Sequence, residues 1–453
     1  MDTSPSAPAD LVITNCTALI DTAGPAAVFQ PQSTIVVRNG AIEAVLGAGE
    51  SVPMAIDVID AHGMVAMPGL VNTHCHAAMT LFRGAAEDVR VDEWFNDYIW
   101  PMEVNLTPRD VYMGTMVACA EMISCGVTQF TDHYFHMHEV ARAVVDSGMR
   151  ANLGSAFFSS QGDEGLATSV AFAEEYHGAA GNRIATSIAP HAPYTVNDEH
   201  LRLAADAAQR LGVKVHTHAA EDIAQTRRSV ADRGITPIEV LERTGVLEAG
   251  CIIAHGNGII ESDIPLLARW NDRVGVTHGP KGYLKFALGR LTPVRDLLTA
   301  GVPVGYCTDG AASNSTLDIL ENMRATAMSQ KFVTDDSTWF TSRQALHIAG
   351  PLSAAVVGQK GEIGELRAGA RADVILVDLS GFHCQPLHDT AAALVYSAQP
   401  SDVRTTIIDG RVVMRDRQLL TIDRAALMAE FRERANTITD RSHGRTIQDY
   451  DAR

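Results

Sequence analysis

Short apolar runs that each stop on polar residues, most of them on a histidine or an acid, recur through the middle of this chain, and no other feature so limits what it can fold into. There are eight: LVNTHCH (70–76), TQFTDHY (128–134), ANLGSAF (151–157), TSIAPH (186–191), KVHTHA (214–219), CIIAHG (251–256), VGVTHG (274–279) and VPVGYCTD (302–309). From His191 to His218 is 27 residues, then 37 to His255, 23 to His278 and 31 to Asp309. These intervals are close to the roughly 30 residues of a strand with its crossover helix. The runs are continuously apolar rather than alternating, as parallel strands covered on both faces are. Eight such units close into a TIM barrel, a (β/α)8 fold whose chemistry gathers at the carboxyl ends of its strands.

Helix punctuation fills the gaps. Pro108 after Thr107 is a first-turn proline, Met113, Val117, Ala120 and Met122 form an apolar stripe behind it, and Gly126 marks the stop. Thr236-Pro237-Ile238-Glu239 is a capping box whose helix ends at Gly245, and Asn197 and Gly212 bracket another helix.

The flanks have a different texture. LVITNCTALI and STIVVRNGAIEAVLG near the start, and ADVILVDL and VRTTIIDGRVVMRD near the end, are β-like, with hairpin turns at Asn39-Gly40 and Asp409-Gly410. The expected architecture is therefore α/β: a barrel over residues 65–364, with a small β-sandwich assembled from 1–64 and 365–453, the latter including a tail. With 453 residues, 46% of them hydrophobic, a large buried core is within reach. Lys plus Arg is 36 against 54 for Asp plus Glu, a net charge of −18, which argues against nucleic acid or an anionic membrane as the main partner. The opening MDTSPSAPAD has neither a basic region nor an apolar core, no apolar stretch is long enough to span a bilayer, and the seven cysteines contain no C-x-x-C pair. The chain reads as cytoplasmic.

His74 and His76 lie at i and i+2 on the first barrel strand, so both face one way while Cys75 faces the other. Alone, a His-x-His pair is more often a packed or surface pair than a metal site. It gains weight because His218 and Asp309 end other strands and converge on the same axis. Three neutral imidazoles and a carboxylate suit a borderline cation such as Zn²⁺, with a position left for water. His216, two residues before His218, shares its face and competes with it for the ligand role. Glu221, just past the strand in HTHAAE, is placed to move protons, and His255 in IIAHG to hold water or polarise a substrate. Each has an ordinary alternative: a helix-start carboxylate complementing a dipole, and a hydrogen-bonded strand-end imidazole.

PGLVNTHCHAAMTLFRG, APHAPY, HTHAAE, IAHG and GYCTDGAASN together resemble the amidohydrolase superfamily. Within it they are most similar to the branch of methylthioadenosine/S-adenosylhomocysteine deaminases, guanine-type deaminases and triazine hydrolases, over about residues 10 to 440. The resemblance implies a barrel with a terminal β-sandwich, one divalent metal per subunit, usually zinc, and a homodimer or homotetramer. It makes His74, His76, His218 and Asp309 the ligands, Glu221 the proton shuttle and His255 a contact to water or substrate. It also implies hydrolytic deamination of a heterocycle, an adenosine-type nucleoside foremost. Glu221 would protonate a ring nitrogen while Asp309, as base, helps water attack the amine-bearing carbon, and ammonia leaves. His191 would reach the ring and Glu103 of WPME the ribose hydroxyls. Deamination of a free base or pterin, and hydrolysis of a substituted s-triazine, are the alternatives in the same branch.

The chain departs from that pattern in two places. Adenosylhomocysteine-type members hold the amino-acid carboxylate with arginines after the third strand, and no lysine or arginine occurs here from 151 to 182. The seventh-strand motif reads HGPKGYLK (278–285), where Tyr283 is a candidate to stack on a planar ring and Lys281 to recognise an anionic or carbonyl group. His133, His136 and His138 look like a second metal cluster, but read better as helix-start or surface residues, with His136 or Tyr134 at the pocket rim.

Overall fold

The computed structural model describes residues 7–23, 27–448 and 450. Five strands come first: β1 (Ala9–Asp21), β2 (Val28–Arg38), β3 (Ala41–Leu46), β4 (Ala55–Asp60) and β5 (Met64–Pro68). Each of the eight apolar runs then forms a strand: β6 (Leu70–Cys75), β7 (Val127–Tyr134), β8 (Arg150–Phe157), β9 (Ile184–Pro190), β10 (Lys214–Ala219), β11 (Cys251–His255), β12 (Gly275–His278) and β13 (Val304–Tyr306). Four more, β14 (Val374–Asp378), β15 (Val403–Ile408), β16 (Arg411–Arg415) and β17 (Gln418–Leu419), follow the barrel.

Strands β6 to β13 pair in chain order, all parallel, as a barrel of consecutive strand-helix units requires. Its ends meet through polar groups: Thr73 donates from Oγ1 to the Tyr306 carbonyl (2.9 Å), and the Asp309 amide donates to the His74 carbonyl (3.1 Å). Closure thus brings the first and last strand ends side by side. In β6, β7 and β12 every residue is buried, which is why their sequences carry no alternation.

The remaining nine strands form the terminal sheet, in the order β17-β16-β15-β14-β5-β1-β2-β3, with β4 also on β1. The long strand β1 pairs with β4 through its first half and β5 through its second, and register shifts along its β2 side let it bend. Leu11, Ile13, Ile35, Val374, Leu376 and Ile407 are among the side chains that fill this sheet's own core. Both hairpins form where N-G and D-G stand, with Asn39 and Asp409 at positive φ followed by glycines that are also positive. The expected division after residue 64 falls one residue into β5, so Val65–Pro68 sit in the terminal sheet. Residue Leu70, after a single glycine, opens the barrel.

The helix signals resolve as capped helices. Thr107 and Asp110 close a capping box on Pro108–Ser124, Thr236 and Glu239 one on Pro237–Arg243, and Asn197 caps Asp198–Leu211, which stops at Gly212 in the left-handed region. Burial on Pro108–Ser124 extends well beyond the expected stripe, to Val111, Met116, Cys119 and Ile123. Helices Met137–Ser147 and Arg424–Ala435 pack on it, and a helix covered from several sides keeps little amphipathic signal. No helix among the described residues is long and apolar enough to cross a membrane.

Candidate active site

At the carboxyl ends of the barrel strands the backbone itself is strained. Ala220, His255 and Asp309 have φ of +48°, +76° and +59°, a region side-chain-bearing residues rarely adopt. Each follows or ends a strand whose last side chains must turn inward, and such strain concentrates where geometry serves function.

Four side chains converge there. The His76 and His218 Nε2 atoms lie 3.3 Å apart, His76 Nε2 is 3.2 Å from Asp309 Oδ1, and His74 Nε2 is 3.6 Å from the same oxygen. Backbone carbonyls fix the tautomers. His76 donates from Nδ1 to the His133 carbonyl (2.7 Å), and His218 from Nδ1 to the His191 carbonyl (2.9 Å). Their protons are therefore on Nδ1, and in the neutral rings both Nε2 atoms present lone pairs toward each other and toward a carboxylate. The buried His74 Nε2 has no hydrogen-bond partner. Converging lone pairs with no donor between them are what a divalent cation satisfies, and three imidazoles with one carboxylate fit zinc.

The electrostatics agree. Burial pulls the His76 imidazole down, but the hydrogen bond and charge of Asp309 outweigh it and raise it to about 9. Burial pushes Asp309 up, yet the His74 and His76 imidazoles beside it hold it well below the ordinary carboxylate range. The His76 Nε2 that Asp309 draws toward protonation is the same atom whose lone pair a cation would take. Ser313 donates from Oγ to Asp309 Oδ2, orienting the carboxylate.

His216 lies behind His74, with its Nε2 2.9 Å from His74 Nδ1 and the rings edge to face at 5.0 Å. It backs His74 rather than joining the convergent set. His255 stacks on His218 with ring centroids 5.5 Å apart and belongs with His74 and His218 to one group of possible ligand atoms. His255 is braced from outside: its carbonyl accepts from the Tyr283 hydroxyl (3.2 Å) and from Thr292 (2.9 Å).

Two buried carboxyls flank the centre. Burial raises Glu221 to about 7, and its Oε1 lacks a partner. Burial likewise raises Glu103 to about 7, although the Tyr134 hydroxyl donates to it at 2.6 Å. Groups near neutrality exchange protons most readily at physiological pH. His191 hydrogen-bonds through Nδ1 to Thr195 (2.8 Å), leaving its ring edge in the cleft between His218 and Phe158.

Some expectations do not survive. His133 is a buried residue of β7, its ring 4.8 Å from His218, and lines the cleft. The strand runs one residue beyond it, to Tyr134, so the polar letters of TDHY are interior and not a surface helix start. His136 and His138 are exposed, so the three histidines form no cluster, and Tyr134 rather than His136 reaches the cleft. Lys281 is committed to Glu321 (2.8 Å) and Thr316 (3.1 Å) outside the cleft. Tyr283 does line the cleft, as a residue meeting the substrate must, and its hydroxyl, accepting from the Gly279 amide (3.3 Å), also braces two strand ends.

The cleft measures about 950 Å³ including its mouth. Sequence reasoning missed its aromatic walls, Trp94, Phe95, Trp100, Phe158 and Tyr450. Three of these stand in WFNDYIW (94–100), whose aromatic density was a usable signal; Tyr450 gave none.

Comparison with known proteins bears on this geometry. The Amidohydrolase family matches residues 65–413. A 5-methylthioadenosine/S-adenosylhomocysteine deaminase of Pelotomaculum thermopropionicum is 42% identical over 423 residues, 92% of this chain and 96% of that enzyme. A 5'-deoxyadenosine deaminase of Methanosarcina mazei is 38% identical over 437 residues, 96% of this chain and 99% of that enzyme. Among solved structures, an adenosine deaminase from Xanthomonas campestris with bound zinc superposes with a TM-score of 0.89 at 33% identity, over 95% of this chain and 99% of its own. An atrazine chlorohydrolase from Arthrobacter aurescens shares the fold, with a TM-score of 0.85 at 22% identity over 94% of this chain and 100% of its own.

Proposed function

The chain belongs to the amidohydrolase family, and from that premise we propose that it is a zinc-dependent hydrolytic deaminase of an adenosine-type nucleoside, releasing ammonia. The observation that carries the reading is the pair of tautomer-locked lone pairs on His76 and His218 facing Asp309, with a protonatable Glu221 beside them.

His74, His76, His218 and Asp309 would hold one divalent cation, which when bound supplies Lewis acidity that activates water near neutral pH. The residues then divide the work. Glu221, poised near 7, holds a proton at its carboxyl and gives it to a ring nitrogen, making the amine-bearing carbon electrophilic. Asp309, held ionised, accepts the proton the attacking water loses, and Asp309 or Glu221 then hands a proton to the amine, which departs as ammonia while the C–N bond breaks. His255 orients that water or the developing oxygen from the neighbouring strand end. His191 lies against the ring, and Glu103, kept in place by Tyr134, accepts from sugar hydroxyls. The apolar walls exclude bulk water and strengthen each of these contacts. The terminal sheet, β1–β5 with β14–β17, frames the barrel strands β6–β13 that carry this site.

Ammonia release from the zinc-loaded enzyme, screened against adenosine derivatives, guanines, pterins and amino-triazines, tests the reading. Adenosine derivatives should lead, and the Glu221→Gln enzyme should keep its metal while losing at least about a hundredfold in turnover, as removal of a general acid-base group does. Full turnover in that variant would remove Glu221 from the mechanism, and ammonia from a free base alone would move the substrate class.

A further inference from the structure

Past helix Arg424–Ala435, the described residues from Ile438 onward meet one segment at the barrel mouth, and Tyr450 lines the cleft. These residues are tied at three points to that segment, 96–105. Asn105 donates from Nδ2 to the carbonyls of Ile438 (2.9 Å) and Asp440 (2.7 Å). Arg441 reaches the Asp97 carbonyl and lies 4.1 Å over the Tyr98 ring. Asn96 grips Tyr450 twice, accepting from its amide at 2.8 Å and donating to its carbonyl at 2.8 Å. The same segment supplies Trp100 and Glu103 to the cleft.

The Tyr450 ring is buried, stacked on Phe95 with centroids 4.5 Å apart and 21° between planes, and set edge-on to Tyr194 at 5.8 Å. It lines two cavities at once: the cleft of about 950 Å³ described above, and an outer one of about 980 Å³ bounded by Pro193, Arg228 and Arg233. On the inner side, the lining sets the acids Glu103, Glu221, Asp222 and Asp309 beside five histidines, with no lysine or arginine among the described lining residues. A carboxylate there would meet like charge and no bidentate partner.

We propose that Tyr450 is a specificity-determining residue, its ring dividing the reaction cleft from the outer cavity and confining the group at the far end of the substrate to a small, uncharged one. This rests on the deaminase reading and deepens it. Asn96 is the positioning residue that holds the ring in place through the backbone.

The test compares kcat/KM of the zinc-loaded, full-length enzyme for 5'-methylthio- and 5'-benzylthio-5'-deoxyadenosine. In Tyr450→Ala the bulky-to-small ratio should rise at least about tenfold, the scale on which an apolar pocket discriminates size. It should rise in the same direction in Asn96→Ala and stay at the wild-type value in Tyr450→Phe. An unchanged ratio, or an equal fall for both substrates, would overturn the proposal. Binding of the benzylthio compound, read by quenching of Trp94 and Trp100 fluorescence, separates the two ideas. If the wild type releases no ammonia from either compound, the deaminase reading fails. A tenfold tighter binding in Tyr450→Ala then still upholds the partition, and unchanged binding sinks it.

Discussion

Two clusters of buried polar groups sit at opposite ends of the barrel, and they differ in completeness. At the amino end of β8, Arg150 donates to both oxygens of Asp373 (2.8 and 3.1 Å), to Asp409 (3.0 Å) and to the Asn182 carbonyl (3.2 Å). The Asp409 amide returns a bond to Asp373 at 2.7 Å, so barrel and terminal sheet are joined by groups that satisfy one another. At the carboxyl end, His74 Nε2, His216 Nδ1, Glu221 Oε1 and Trp94 Nε1 are buried without partners. Burial without partners costs free energy, so an unfinished cluster is retained for something outside the chain, and a finished one for the fold.

The sharpest way to break this contrast is to remove the carboxylate on which His74 and His76 of the unfinished cluster converge. Asp309→Ala should leave a folded protein that keeps no zinc through dialysis and has no turnover above background, by elemental analysis and ammonia release. Retained metal would mean that His255 and the other histidines suffice, and the convergent set would have to be redrawn. The matching change at the finished cluster acts oppositely. Arg150→Met strands the Asp373 carboxylate, whose side chain is 2% exposed, at a cost of about 3–5 kcal/mol. Denaturant unfolding should show that loss, while kcat/KM per folded molecule stays at the wild-type value. A drop in kcat/KM would mean that the two ends are coupled.

The sequence made one cluster far more legible than the other. Histidines and acids ending apolar runs stand out because a strand buried on both faces has little reason to carry them. Arg150, Asp373 and Asp409 are scattered among ordinary loop and strand-start letters, and only the packing of sheet on barrel makes them neighbours. The same holds for Tyr450: it is brought to the cleft by tertiary anchors at Asn96 and Asn105, which leave no periodicity to read. His133 lies inside rather than at a helix start for a related reason. In a strand with every residue buried, polarity does not report exposure. The turns and caps were readable because their chemistry is local, as in Thr236 with Glu239 and the Asn39-Gly40 hairpin.

Glu103, partnered at this end by the Tyr134 hydroxyl, tests whether a buried carboxyl there carries a stability cost in its own right. Burial raises its carboxyl from 4.5 to about 7, so between those values the native state binds the proton that the unfolded chain releases. Stability then falls as pH rises through that window, by about 3 kcal/mol once the group must ionise in place. Gln at this position still accepts from Tyr134 and never ionises. Glu103→Gln should therefore match wild type at pH 5 and unfold several degrees higher at pH 8, while KM for a nucleoside rises. Equal melting curves at both values would mean that the buried carboxyl has a cationic partner in solution.

The smallest effect is expected at His216, which stands between the two kinds of cluster. For His74 to offer Nε2 outward, its proton must sit on Nδ1 and be donated to His216 Nε2, 2.9 Å away. Burial holds His216 neutral, so it is an acceptor there and its own proton lies on the partnerless Nδ1. His216→Ala removes the acceptor but none of the converging ligands, and zinc affinity should fall about 10–100-fold. Competition against a chelator of known affinity measures it, and turnover should return at saturating zinc. Complete loss of zinc instead would make His216 a ligand and move His218 out of the set. The distinction is between a ring that faces the ion and one that faces a ligand, and on strand β10 these are two residues apart on the same face.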